Sequence, residues 1–382
     1  KWITVGVRDE HEDNRYRAIG TDSLAFGSYR FFDMEAFVQN GDSSKVKWRL
    51  GAGQRTDDAL RNGELKRSTE ATTYSAALDL SNNPRNRLQT SVNYRQLGIV
   101  DSLLTSQKPE DTWLARLDHD LSLWRGALST DVFYEFGSGL EQKRSFIYVE
   151  VPAGQGIYVW IDYNGDGIKD LNEFETASFG YEANYIRVYT QTNEFIRTYS
   201  SQLSASVDLR PATVWVDKDG FRGFLARISD LASLRADRKT ADDDLGRALD
   251  PFTTDPTDTL LLSYTSSFRN TLFFNRTSRA WGIDHTWQSD RNRILLVSGY
   301  EGRSNQLQQL RIRVNASRTW TLEVESEAGR TATSSDLPGG RNFSVFKQGI
   351  KPRITWQPNT QFRAALAYKR TEKHNAIEFG DE

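Results

Sequence analysis

The chain of 382 residues has no cysteine and one methionine, which excludes a disulfide framework and a thiolate metal site. Lysine plus arginine number 49 against 51 for aspartate plus glutamate, so the basic bias of a nucleic-acid-binding protein is absent and no such partner is expected. No run approaches the ~20 apolar residues of a membrane helix. Tryptophan (10) and tyrosine (15) are nevertheless abundant for so charged a chain.

Lys1 is not followed by the apolar core of a signal peptide, which reads as processing or truncation of the true start. Beyond it, apolar residues recur at every second position, the period of a strand with one wet and one dry face. Val46, Trp48, Leu50 and Ala52 alternate with Lys47, Arg49, Gly51 and Gly53. Tyr74, Ala76, Leu78 and Leu80 lead into the turn 81–86, and Leu88, Thr90, Val92 and Tyr94 return from it. Trp113 to Leu123 and Leu128 to Phe136 form a second such pair around the turn Trp124-Arg125-Gly126.

The stretch Ile157–Glu175 breaks the pattern. Counting Asp162 as position 1, oxygen donors fall at positions 1, 3, 5, 7, 9 and 12: Asp162, Asn164, Asp166, the carbonyl of Ile168, Asp170 and Glu173. Gly167 stands at position 6. A hard dication takes six to eight oxygens, and a tight acidic turn with a glycine at its sharpest bend supplies them at this spacing. Ca²⁺ is the expected ligand; the alternative is a solvated acidic turn.

After this stretch the alternation resumes at Tyr199–Leu209. Residues 225–245 lack an apolar helical stripe and read as a strand entering the acidic run Asp242–Asp244, itself expected to be a solvated loop. Phe268–Arg279 fits either a turn or one long strand. In the C-terminal third, Ile312 and Val314 precede Trp320, Leu322 and Val324; Ile354 and Trp356 precede a turn at 357–360 and then Phe362 to Tyr368. The turn Asn315–Arg318 sets Arg311 opposite Glu325 and Arg313 opposite Glu323, predicting a charge ladder on the face away from Leu322 and Val324.

Connections come in two lengths: tight near 81–87, 124–127, 289–292, 315–319 and 357–360, and long near 98–110, 137–194, 237–257 and 329–343. Short turns at one end, long loops at the other and dyad alternation describe a transmembrane β-barrel. The predicted fold is therefore an all-β antiparallel meander of about 14–16 strands closing as such a barrel, or part of a larger one. It forms one domain over 1–382, with 137–194 a long extracellular insertion carrying the calcium turn. The alternative is a secreted or surface-attached β-sheet module that binds glycans or proteins through its aromatics.

The acidic turn resembles the loops of the EF-hand, dockerin and thrombospondin type 3 groups over about a dozen residues. It departs from an EF-hand at Lys169, which replaces an aliphatic residue, and in the strand-like entry Ile157–Ile161. Phe268–Arg293, the 160–175 stretch and Ile354–Lys373 resemble large outer-membrane and surface proteins of Bacteroidota. That resemblance implies placement in the cell outer membrane, contact with its lipid and with other outer-membrane or surface proteins, and no catalytic residue. Barrels of this kind end on an aromatic residue, whereas this chain stops at Phe379-Gly380-Asp381-Glu382, which reads as a fragment of a longer polypeptide. The four histidines are scattered, and no nucleophile elbow, phosphate loop or zinc-protease helix is present. The expected function is a non-enzymatic barrel: a pore, a transport or secretion component, or a structural surface protein.

Overall fold

A computed structural model describes residues 2–17, 19–20, 23–41, 44–253, 259–296, 299–336 and 342–376. The strands are β1 (Ile3–Asn14), β2 (Tyr29–Asn40), β3 (Lys47–Arg61), β4 (Glu64–Asp79), β5 (Asn86–Ile99), β6 (Glu110–Leu123) and β7 (Leu128–Glu150). After a small hairpin, β8 (Tyr158–Trp160) and β9 (Phe174–Thr176), come β10 (Tyr185–Leu209), β11 (Ile228–Thr240), β12 (Leu261–Phe274), β13 (Trp281–Leu296) and β14 (Gly299–Asn315). The series ends with β15 (Trp320–Ser335), β16 (Phe343–Trp356), β17 (Ala364–Ala367) and β18 (Arg370–Asn375).

From β1 to β7 and from β10 to β16 each strand pairs antiparallel with the next, and β7 pairs with β10 across the inserted β8–β9 hairpin. Both β17 and β18 pair with β16, along different stretches of it, so together they form one rung. The result is a single all-β antiparallel meander whose eighteen described strands, more than the 14–16 expected, make fifteen rungs plus the β8–β9 side hairpin. Its edges are β1 and the β17–β18 rung, which run in the same direction. No ladder joins them among the described residues, so the meander is present and the closed cylinder is not. The chain-end feature at Phe379–Glu382 lies outside the described residues.

Register gathers apolar side chains on one face over most of the sheet, interrupted by His119, His285 and the hydrogen-bonded pair Asp230 and Asn270. Trp48 and Leu50 pair with Leu78 and Ala76, Val92 with Ala115, Leu117 with Tyr134, Ile283 with Ile312, and Ile312 with Val324. The band covers only the strand halves nearest the turns 80–85, 124–127, 275–280 and 316–319. On β13 it spans Trp281 to Trp287 and then gives way to Ser289, Arg291 and Arg293. On β6 it spans Trp113 to Leu123. Seven to eleven residues, six to ten rises of about 3.3 Å, amount to roughly 20–33 Å of strand.

Aromatics mark both borders of this band. On the far side Tyr74, Tyr94 and Trp113 are direct cross-strand partners in one row, with ring centroids 6.5 and 4.6 Å apart; Trp287 meets Phe268 at 5.1 Å. On the turn side Phe274 meets Trp281 at 5.4 Å, Trp320 meets Trp356 at 6.0 Å and Trp356 meets Phe362 at 5.4 Å.

The opposite face carries the charges. The predicted register is present: Arg311 opposes Glu325 and Arg313 opposes Glu323. The contacts reach one strand further than expected, because Arg311 pairs with Asp284 on β13 and Lys351 with Glu325 (3.3 Å). A four-strand row Asp284, Arg311, Glu325, Lys351 results, in which alternating signs neutralise one another.

Several connections differ from expectation. Residues 289–292 are not a turn but the middle of β13. Asp290 and Asn292 belong to the charged face, where Asp290 accepts from Ser267 (2.6 Å) and Asn292 donates to Thr265 (2.9 Å), while Ser289 and Arg291 stand beyond the apolar band on the other face. Phe268–Arg279 resolves into the end of β12 and a turn. The 137–194 and 329–343 loops shrink to 151–184 and 336–342, because β7, β10 and β15 run far beyond the apolar band. Residues 228–240 form the expected strand, but two unforeseen short helices precede it, α1 (Ala212–Trp215) and α2 (Gly220–Leu225). Nor is the acidic run wholly solvated. Asp242 is buried and 3.6 Å from Arg247, and Asp244 caps α3 (Leu245–Leu249). Ala248 of that helix packs on Phe136 and Tyr199.

Candidate metal centre

The acidic turn is held at the tip of a projecting arm. Past the sheet, β7 and β10 continue together as a ribbon, with Arg144 to Glu150 opposite Tyr185 to Gln191. The β8–β9 hairpin lies against it and pairs Tyr158 with Tyr185. Alternation puts aromatics on the shared side. Tyr148 stacks on Phe174 at 4.0 Å and meets Tyr158 at 5.1 Å, while Phe174 meets Tyr185 at 5.0 Å. Arg187 lies over Phe146 (4.7 Å) and Tyr158 (5.6 Å). This small core, worth ~0.5–1.5 kcal/mol per ring pair beyond area burial, fixes the two ends of the turn.

The strand-like entry predicted for Ile157–Ile161 is present as β8, and the turn 161–173 joins β8 to β9. Asp162 accepts from the amides of Gly165 (2.6 Å) and Gly167 (2.9 Å) through its two oxygens. Asn164 Oδ1 accepts from the Asp166 amide (2.9 Å), and Asp166 Oδ1 from the Ile168 amide (2.7 Å). Short polar side chains fold the backbone in this way whenever they cap local amides. Gly165 and Gly167 take φ of 74° and 72°, the left-handed region where glycine is unstrained.

The side chains of Asn164 and Asp166 touch (3.0 Å), whereas Asp170 and Glu173 sit in the following turn. Among the described residues no group of three or more carboxylates or imidazoles converges. The six predicted donors thus lie along one connection, in two successive turns, without forming a closed cage.

Glu173 is the unusual member. It is 2% exposed, and its Oε2 accepts from Trp160 Nε1 (3.0 Å) and the Asp170 amide (3.4 Å). Among the described residues no cation pairs with it. A buried carboxylate is costly unless it is paired or bound to a metal, so the donor chemistry at position 12 fits a hard dication.

Lys169, the departure from the EF-hand pattern, leaves the turn altogether. Its ammonium donates to Tyr185 Oη (2.6 Å) and Glu150 (3.2 Å) and lies over the rings of Tyr185 and Trp160. The Tyr185 and Glu150 hydrogen bonds raise its pKa above the ordinary lysine value. Glu150, at the ribbon tip, is held below the usual carboxylate range by Lys169 and then Tyr185. Tyr163 donates to Glu175 (2.6 Å), which raises the phenol pKa. Spacing alone could not find this strap, because Glu150 and Tyr185 lie on separate strands.

Compared with protein-family models and with curated proteins, the chain matches none.

Proposed function

We propose that this chain forms the wall of a non-enzymatic outer-membrane β-barrel whose extracellular arm is clamped by Ca²⁺. One observation carries the reading. The sheet leaves most of its apolar face uncovered, α3 covering it only around Phe136 and Tyr199, and the accessible surface is 25163 Å², where a compact soluble chain of 43.6 kDa would expose about 15,000 Å². A predominantly apolar band bordered by aromatics on both sides, opposite a face of largely paired charges, suits lipid outside and water inside. Most long loops gather at the end bearing 151–184, although the tight turn 62–63 also lies there and 210–227 lies opposite, and by that pattern it is the extracellular side. Closure between β1 and the β17–β18 rung as an even-stranded barrel takes at least one further strand, because these edges run parallel.

The wet interior fits a pore, a transport or secretion component, or a structural surface protein. Calcium outside the cell keeps even a site of ~10⁻⁴–10⁻³ M affinity filled, so Asp162, Asn164, Asp166, Asp170, Glu173 and the Ile168 carbonyl serve a standing clamp rather than a sensor. The test is reconstitution into vesicles with brominated acyl chains. Fluorescence of the exposed band tryptophans Trp281, Trp287, Trp320 and Trp356 should be strongly quenched. A monodisperse, detergent-free protein whose tryptophans are not quenched overturns the reading.

A further inference from the structure

The turn end of the sheet carries one connection that is not short. Residues 210–227 link β10 to β11 through α1 and α2, at the end where the neighbouring links are 124–127 and 275–280. The link is built as a tight corner rather than a slack loop. Gly220 has φ of 65°, and a Cβ on Gly223 would lie 2.1 Å from the Lys218 carbonyl oxygen. Only glycine allows α2 to fold back this closely.

That corner turns apolar side chains outward. Phe221 is 74% exposed, with Val216 and Phe224 exposed beside it. Phe221 and Phe224 are three residues apart and share one side of α2. Phe224 meets Phe274 at 5.6 Å, and Phe274 meets Trp281 of the turn-side aromatic row. The exposed patch therefore continues the apolar band past the end of the strands. Lys218, Arg222 and Arg227 stand in the same link and form no ion pair among the described residues, and with Arg210 they outnumber its acids Asp217 and Asp219, whereas the charges of the wet face are largely paired.

We propose that 210–227 is an interfacial foot seated in the lipid headgroup layer on the short-turn side. Phe221, Phe224 and Val216 enter the acyl boundary, and Lys218, Arg222 and Arg227 meet lipid phosphates. Amphipathic segments of this composition settle about 5–10 Å into that boundary. The inference rests on the barrel reading, and continuity with the apolar band selects lipid over a protein as the occupant.

The chain has no cysteine, so single-cysteine spin labels are unambiguous. Phe221→Cys, Leu322→Cys as a band control and Phe179→Cys as a control on the long-loop side are labelled in vesicles. Collision with oxygen, which concentrates in lipid, is compared with collision with a water-soluble nickel chelate. Labels at 221 and 322 should favour oxygen, and the label at 179 the chelate. Replacing Lys218, Arg222 and Arg227 together by Gln should shift the 221 label toward the chelate. If 322 favours oxygen while 221 favours the chelate, the foot is overturned and the barrel stands; if both favour the chelate, both readings fall. A 221 label shielded from both reagents points to a protein partner and also overturns the foot.

Discussion

The arm and the wall solve opposite solvent problems with the same alternating sequence. In the arm, Tyr185 is 4% exposed, and rings from β7, β8, β9 and β10 stack on one another. In the wall, Ile350 is 47% exposed and its neighbours on the apolar face are similarly open. Hydrophobic burial drives the arm together in water. On the proposed barrel reading, the wall's open apolar face is buried against lipid rather than against itself. On that reading the difference teaches where the water ends: just beyond the aromatic row of Tyr74, Tyr94 and Trp113.

The largest effect should come from testing the wall. Leu322 lies on the apolar face directly opposite Val314 and Ile354. Leu322→Arg should cost ~2–4 kcal/mol if the site lies near the bilayer midplane, measured by reversible unfolding in vesicles. An exposed position in water would cost no more than about 0.5 kcal/mol, and that result would erase the distinction between wall and arm.

A smaller and local loss is expected in the arm. Asp166→Ala removes a carboxylate that accepts from the Ile168 amide, and with it one predicted calcium oxygen. Calorimetry should show lost or weakened Ca²⁺ binding, and amide exchange should quicken over 157–175 by the equivalent of about 1–3 kcal/mol. Protection in β12–β16 should not change. Wild-type protein that takes up no heat-detectable calcium would remove the clamp.

The strands of the wall were largely legible because period-two alternation is a local property that each segment carries by itself. Leu88–Tyr94, Trp113–Leu123 and Leu128–Phe136 fall on β5, β6 and β7. The Arg311–Glu325 register was legible too, since a short turn fixes it. Strand ends were less so. Ser289-Asp290-Arg291-Asn292 has turn composition, yet polarity in a strand and polarity in a turn look alike in sequence. Helices α1 and α2 are too short to show a helical period. In the candidate site, spacing identified the donors, but the burial of Glu173 beneath Trp160 depends on a hairpin that pairs across thirteen residues.

A still smaller effect is expected on the wet face. Arg311 is half exposed, and its pair with Asp284 belongs to a row in which Lys351 also pairs with Glu325. Arg311→Met should cost only ~0.2–1 kcal/mol, falling as salt rises. A loss above 2 kcal/mol would mean that this face is dry, reversing the assignment of wet and lipid sides.

The least costly and most pH-dependent contact is the Lys169 strap between turn and ribbon. The folded pKa of Lys169 is raised, so its contribution is complete below the unfolded value of 10.5 and is lost as pH climbs through the folded value. That of Glu150 is lowered, so its contribution is complete above the unfolded 4.5 and is lost as pH falls through the folded value. Between these limits both groups are charged and the strap is whole. Both side chains face water, so global stability should not move; the readout is local. Amide exchange at 166–170, corrected for its intrinsic pH dependence, should be flat across the neutral range and rise at either extreme. Lys169→Met, which keeps the stem but not the ammonium, should remove both limbs of that profile. A wild-type profile that rises only on the acid side would show that carboxylate protonation in the turn, and not the strap, controls how the arm opens.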